Sequence, residues 1–223
     1  MKEIKIPRTE ELFELTHTIA APLLSRYVYP DEALSGLYDF IAEAARGLGD
    51  DFYERSEGVY VAKDAEVDET ARILPPTIIG KGAQIRHGAF LRGGVIVGDG
   101  AVVGNSSEVK SSILFDGAKL PHYNYVGDSI VGHLAHLGAG ATVSNLKLDK
   151  SPVRMRADGE IRDTGRRKLG AMIGDGAEIG CGAVLCPGTT VGKGARIYPL
   201  TLVRGTVASG VIYDGKEERK ILE

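Results

Sequence analysis

Residues 173–203 read IGDGAE IGCGAV LCPGTT VGKGAR IYPLTL V, with an aliphatic side chain at every sixth place: Ile173, Ile179, Leu185, Val191, Ile197 and Val203. Four places after each of the first five sits a small residue: Ala177, Ala183, Thr189, Ala195 and Thr201. A fixed six-residue period with Gly-rich turns marks a hexapeptide-repeat β-helix, in which three hexads close one triangular coil of about eighteen residues. The aliphatic residue fills the prism, and the small one lets successive coils close up. Each coil bonds only to its neighbours, so none is stable alone.

Toward the N-terminus the same period holds through Val61, Val67, Ile73, Ile79, Ile85, Leu91, Val97, Val103, Val109 and Phe115. It then slips by one place to Leu114, Leu120 and Val126, and again to Val131, Leu137 and Val143. Slips in a solenoid mark bulges or loops, and loops on a rigid scaffold are where function concentrates. Between Val143 and Ile173 the period disappears. Residues 146–170, with Lys147, Lys150, Arg154, Arg156, Arg162, Arg166, Arg167 and Lys168, are expected to form a protruding basic loop.

The expected organisation is a helical cap or linker at 1–57, the β-helix at 58–206, and a C-terminal strand or hairpin with a charged tail at 207–223. Leu12, Leu15, Ile19 and Leu23 fall at helical spacing and predict a helix from Glu10 to Tyr27. A second helix follows Asp31 as N-cap, with Gly47 and Gly49 as stops. The simplest role for the pair is to cover the open end of the β-helix, whose strand edges are otherwise unpaired; a substrate role is the alternative.

The chain has 223 residues, with 27 Lys and Arg against 30 Asp and Glu, a net charge of −3. That balance argues against a nucleic-acid or polyanion partner. No signal peptide and no eighteen-residue apolar run is read, so a membrane role is not expected and the cytoplasm is the expected compartment. Cys181 and Cys186 lie on neighbouring hexads; free thiols are expected, with a disulfide or a two-ligand metal site as alternatives.

Arg92 and Lys110 each follow a corner residue and are one coil apart, so they are expected to stack on one corner. Two cations one strand spacing apart repel unless an anion or carboxylate lies between them. The corner is therefore either a phosphate clamp or a solvated charged edge. His122 lies in the slipped segment LPHYNYVGD and can accept a proton near neutral pH, as a general base does, or serve the structure. His87, His133 and His136 leave open a zinc site, for which only HLAH at 133–136 gives a close pair.

The motifs GNxxExK at 104–110, HxxYxGD at 122–128 and GAGATVSN at 138–145 resemble the acetyltransferase domain of bifunctional N-acetylglucosamine-1-phosphate uridyltransferase/glucosamine-1-phosphate acetyltransferase. DTGRRKLGAMIGD at 163–175 is similar to the archaeal-type sugar-phosphate nucleotidyltransferases that carry this domain at their C-terminus. The resemblance covers about residues 60–205. It implies a left-handed parallel β-helix, against the usual crossover hand, a homotrimer, and acetyl-CoA as co-substrate bound between neighbouring subunits. It further implies that Arg92 and Lys110 bind a sugar phosphate, that His122 deprotonates the amine, and that Glu108 supports its imidazole. Tyr125 would contact the sugar or its phosphate, and Asn145 and the backbone near Ala139 the acetyl group. Cys181, where the family has a small hydroxyl residue, and Pro199 would lie along the coenzyme. His136 replaces an asparagine that touches the sugar, and Lys168 is the phosphate ligand chosen from the basic loop.

The implied reaction is acetyl transfer from acetyl-CoA to glucosamine 1-phosphate or a related amino-sugar phosphate. The Gly-rich nucleotide loop of the family's front domain has no counterpart before Gly80. Uridylyl transfer by this chain alone is therefore not expected, and a separate nucleotidyltransferase chain is a possible partner. Two other readings stand beside this one: a non-catalytic β-helix serving such a partner, and a γ-type carbonic anhydrase.

Overall fold

In the structure, a computed structural model that describes residues 5–221, the hexads build a left-handed parallel β-helix with three walls. Residues 1–4, 222 and 223, the extremities of the first and last expected segments, lie outside the described residues. The first and second walls in chain order have nine strands each and the third has seven. In each nine-stranded wall one outermost strand is an antiparallel return: Phe52–Ser56 on Val59–Ala62 at one end, Glu218–Lys220 on Val211–Tyr213 at the other. These hairpins occupy the terminal edges, and Glu54, Arg55, Glu218, Arg219 and Lys220 place charges there, which disfavours edge-to-edge pairing.

The expected aliphatic positions fill the prism. Ile79, Ile85, Leu91, Val97, Val103, Val109, Leu114, Leu120, Val126 and their successors form one buried column with the small Ala residues. Phe115 does not belong to it. After the slip it is Leu114 that points inward, and Phe115 turns outward, its ring 5.1 Å from that of Phe13.

The N-terminal segment departs from expectation twice. First, the helix predicted over 10–27 is broken into α1 (Thr9–Leu12), a single 3₁₀ turn at Leu15–His17 and α2 (Ala21–Leu24). Its backbone groups are used elsewhere. Leu12 C=O accepts from Asp175 N–H at 3.0 Å, Glu14 N–H donates to Asp175 Oδ2 at 2.6 Å, and His17 C=O accepts from Asp116 N–H at 3.0 Å. Pro22 removes a further donor. The second predicted helix becomes α3 (Pro30–Ala33) and α4 (Leu37–Ala45).

Second, these elements cover the flank of the prism rather than its end. Ile78, Ile96, Ile113, Ile130 and Met172 stack on the outer face of the first wall, all at most 1% exposed. They pack against Leu12, Phe13, Leu24, Leu37 and Ile41. Each such side chain contributes roughly 1.5–3 kcal/mol on burial, which explains why the segment lies along the wall.

Residues 146–170 are likewise not a free loop. Arg154–Ala157 and Glu160–Asp163 pair as an antiparallel hairpin whose Val153 and Met155, with Leu169 beyond it, are buried in the same second core. Arg162 is ion-paired to Asp31, which is 1% exposed, and its guanidinium lies 4.2 Å from the Tyr29 ring centroid. Glu160 Oε2 accepts from Ile6 N–H at 3.0 Å. The hairpin is thus fastened to the N-terminal segment.

At the corner joining the first and second walls, burial pushes the Asp116 carboxyl above the usual carboxylate range. The Asp99 N–H bond to it opposes this, the Asp99 charge adds to it, and His17 and His133, stacked at 3.7 Å, offset part. A carboxyl raised in the folded state has its contribution fully present below its unfolded pKa and loses it as pH rises through the folded value. Asp116→Asn keeps an acceptor for Asp99 N–H without the charge. Thermal melts should show the variant more stable than wild type near pH 7, with the difference gone below about pH 3. A lower Tm at pH 7 would contradict the assignment.

Candidate active site

The third wall is built from Arg72–Ile73, Phe90–Leu91, Glu108–Lys110, Tyr125–Gly127, Thr142–Val143, Val184–Leu185 and Leu202–Val203. Side chains alternate across a strand. With Leu91, Val109, Val126 and Val143 inward, the outward column reads Phe90, Glu108, Tyr125, Thr142, Val184 and Leu202 in register.

Arg92 and Lys110 stack where this wall turns into the first, as their spacing predicts: Arg92 N–H donates to Val109 C=O at 2.8 Å, and Lys110 pairs with Gly127. The charges between them are the protein's own. Arg92 Nη1 lies 2.7 Å from Glu108 Oε1, which holds the guanidinium above its ordinary pKa. Lys110 Nζ lies 3.4 Å from Asp128 Oδ2, and Asn145 Nδ2 donates to the same oxygen at 2.6 Å.

The slips in period produce this corner. Leu91 to Val97 is six places, but Val109 to Leu114 and Val126 to Val131 are five. Each shortened turn forces a non-glycine residue into the left-handed region, Ser111 at φ 46° and Asp128 at φ 50°. Gly127 serves a different need. A Cβ there would stand 2.7 Å from both Tyr125 Oη and Asn145 Nδ2, so only glycine lets those two groups meet. Burial, then the Glu108 and Asp128 charges, push the Tyr125 phenol above its usual pKa, partly offset by its hydrogen bond to Asn145. Tyr125 is therefore a neutral hydrogen-bonding group near neutral pH, not a base.

His122 stands at the opposite edge of the wall, where the second wall turns into the third. Gly140 N–H donates to His122 C=O (3.0 Å), Gly182 N–H to Ala139 C=O (2.9 Å) and Leu200 N–H to Cys181 C=O (2.9 Å). His122, Ala139, Cys181 and Pro199 thus form one column of exposed corner residues. The turn is held by Asn124, 2% exposed, whose Oδ1 accepts from His122 N–H (3.1 Å) and whose Nδ2 donates to Gly138 C=O (2.8 Å). Ser107 Oγ accepts from Asn124 N–H at 3.1 Å.

The cationic corner and the imidazole column flank the third wall, their backbones separated by roughly 15 Å of extended chain, with the side chains of Glu108 and Tyr125 between them. Among the described residues Glu108 pairs with Arg92, and the His122 ring is unpartnered and exposed.

Lys168 joins the cationic corner through the backbone: it bridges to Leu146, and Leu169 N–H donates to Asn145 C=O at 2.9 Å. His136 does not join. It projects from the second wall and meets Glu178 Oε2 at 2.9 Å. His87 bonds Thr70 Oγ1 and His133 stacks on His17, so the three imidazoles considered for zinc stand apart. Among the described residues no group of three or more His, Cys, Asp or Glu is placed to hold a metal. Cys181 and Cys186 occupy different corners, both as free thiols. Asp128, Asn124 and Ser107 were not singled out from the sequence, although Asp128 closes the HxxYxGD motif.

Fold and site together define a left-handed hexapeptide-repeat β-helix with a polar, ion-paired outer wall. Over residues 75–158 the chain matches the family model described as the GMPPB C-terminal domain. It is 37% identical over 108 residues to a bifunctional sugar-1-phosphate nucleotidylyltransferase/acetyltransferase of Sulfurisphaera tokodaii, covering 48% of this chain and 27% of that one. It is 43% identical over 76 residues to the bifunctional protein GlmU of Methanococcus maripaludis, covering 34% and 18%. The chain thus spans about a quarter or less of these relatives' length. Among solved structures it is similar to the acetyltransferase domain of PglB from Neisseria gonorrhoeae in complex with acetyl coenzyme A, at 19% identity and a TM-score of 0.34, over 82% of this chain and 64% of that one. The resemblance carried by the motifs from Gly104 to Asn145 is to this same group of β-helices.

Proposed function

We propose that this chain is an acetyl-CoA-dependent N-acetyltransferase acting on the amine of an amino-sugar phosphate, with glucosamine 1-phosphate as the reference acceptor, in a pathway to UDP-N-acetylglucosamine or a related sugar nucleotide. The observation that carries the proposal is the third wall: a column of titratable and polar groups, bounded by two stacked cations on one edge and an exposed imidazole on the other. The acceptor's phosphate would sit at Arg92 and Lys110, near Lys168. Its sugar would lie over Tyr125 and Asn145, and its amine would reach toward His122. The small residues Ala139, Cys181 and Pro199 leave an open track suited to the coenzyme arm, which supplies the thioester carbonyl that the amine attacks. His122 would take the proton the amine must lose to attack, and return one to the departing sulfur. Phosphate on Arg92 would release Glu108 from that guanidinium and free it to support the imidazole.

Assembly as a homotrimer in the cytoplasm belongs to the same proposal. Support comes from Val184, Leu202 and Leu200, apolar side chains 37%, 50% and 84% exposed on or beside the third wall. Light scattering that found a monomer would remove the trimer.

One observation favours a second reading. Arg92 and Lys110 are each matched by a carboxylate within the chain, as a purely structural edge would have them. A non-catalytic β-helix serving a separate nucleotidyltransferase would look the same. Release of free coenzyme A with amino-sugar phosphates separates the two. In that assay Lys110→Ala should raise KM for a phosphorylated acceptor roughly tenfold or more, the scale of a charged hydrogen bond, and hardly change it for an unphosphorylated one. Equal effects on both acceptors would remove the clamp.

A further inference from the structure

Beside the cationic corner the hairpin roofs a cleft of about 580 Å³ against the edge of the prism, within the rough 300–1,000 Å³ range of small-molecule sites. Two glycines let the hairpin lie this close. A Cβ at Gly188 would stand 2.7 Å from Arg154 C=O, and one at Gly205 would stand 3.3 Å from Arg156 C=O. Thr206 Oγ1 donates to Arg156 C=O at 2.7 Å, which fixes Arg156 beside Arg204. Alternation along the hairpin strand buries Met155 and turns Arg154 and Arg156 to the other face, where both line the cleft.

The cations of this cleft differ in one respect. Arg154 is matched by Asp163 at 2.6 Å, and Lys147 by Asp149 and Ser151. Arg156 and Arg204 have no carboxylate partner among the described residues. Two free guanidinium forks facing one space suit two adjoining phosphates, because each fork can bind phosphate oxygens in pairs. The Asp149 carboxylate in the lining is paired with Lys147, and the apolar part of the lining is Leu146, Val184, Pro187 and Leu148, the last fully exposed at the rim. That surface fits the flat face of a nucleobase. The cleft also includes Ser144, next to Asn145, so a ligand can pass from it onto the third wall.

We propose that this cleft, through Arg156 and Arg204, binds a nucleoside diphosphate, so that the acceptor sugar arrives joined to a nucleotide rather than as a simple sugar phosphate. The proposal rests on the acetyl-transfer reading for the sugar it places on the third wall, but the cleft can be tested without that reaction.

The test is calorimetric titration of the full chain with UDP and, separately, with coenzyme A. The proteins compared are wild type, Arg156→Ala/Arg204→Ala, Arg156→Lys/Arg204→Lys and, as a remote control on the terminal hairpin, Arg55→Ala. UDP binding should weaken at least tenfold in the double alanine variant, recover in large part in the double lysine variant, and change less than twofold in Arg55→Ala. Coenzyme A should neither compete with UDP nor respond to the double substitution. No UDP binding by wild type, equal binding by the double alanine variant, or competition by coenzyme A overturns the proposal. Acetyl transfer to glucosamine 1-phosphate and to a UDP-linked amino sugar, measured alongside, keeps the readings apart. UDP binding that depends on the two arginines without transfer to either acceptor sinks the acetyltransferase; transfer without that binding sinks the nucleotide cleft.

Discussion

His122→Ala should lower turnover of acetyl-CoA with an amino-sugar phosphate at least a hundredfold while leaving the β-helix folded. The magnitude is that of a positioned general base, about 10²–10⁴-fold. An amine bound as its ammonium has no lone pair to attack with, so the loss should fall on kcat more than on KM. The structure makes the fold part of the outcome safe. The imidazole is exposed, lies outside both apolar cores, and the turn around it is held by the backbone of residue 122 and the buried amide of Asn124, all of which alanine keeps. An unchanged far-UV spectrum with wild-type turnover would remove His122 from the chemistry. Because Glu108 is held by Arg92 without ligand, Glu108→Gln should show its effect in the acidic limb of the pH–rate profile if it supports the imidazole.

The largest effect on stability should come from Arg162→Ala. Asp31 is 1% exposed and its side-chain charge is matched by Arg162, whose own side chain is 17% exposed and also approaches Glu32. Removing the guanidinium leaves a buried carboxylate uncompensated, which costs about 3–5 kcal/mol, whereas replacing both partners by apolar groups is often near neutral. For a chain of this size that corresponds to a fall in Tm of roughly 6–20 °C. Asp31→Leu/Arg162→Met should therefore be much nearer wild type than Arg162→Ala. If the single and double variants melt together, the pair does not fasten the hairpin to the N-terminal segment.

How much of this was legible in the sequence depends on the range of the interaction. The prism was, because a six-residue period is a local signal repeated more than twenty times and each repeat imposes the same corner. The stacking of Arg92 on Lys110 followed from one coil length. The N-terminal segment was misread because its helical spacing competes with something no local pattern contains, bonds from Leu12, Glu14 and His17 to Asp175 and Asp116 more than a hundred and sixty or about a hundred residues away. A signal for its berth was nevertheless present. TII, VIV, SIL, SIV and AMI at 77–79, 95–97, 112–114, 129–131 and 171–173 pair an inward aliphatic residue with an outward one, always on the same wall. Asp128 escaped notice because its importance lies in a turn one residue short, which shows as a slip in phase rather than as a motif. The carboxylates that neutralise the cations could be read only once register was known.

The sheath along the first wall has a geometric consequence. A triangular prism with one face clothed from Ile78 to Thr206 has two bare faces and a single ridge between them. A three-fold ring built from those two faces would use head-to-tail contacts that bring unlike surfaces together. The ridge they share is the one bearing His122, Ala139, Cys181 and Pro199, so copies packing on either face would wall in that row from the side.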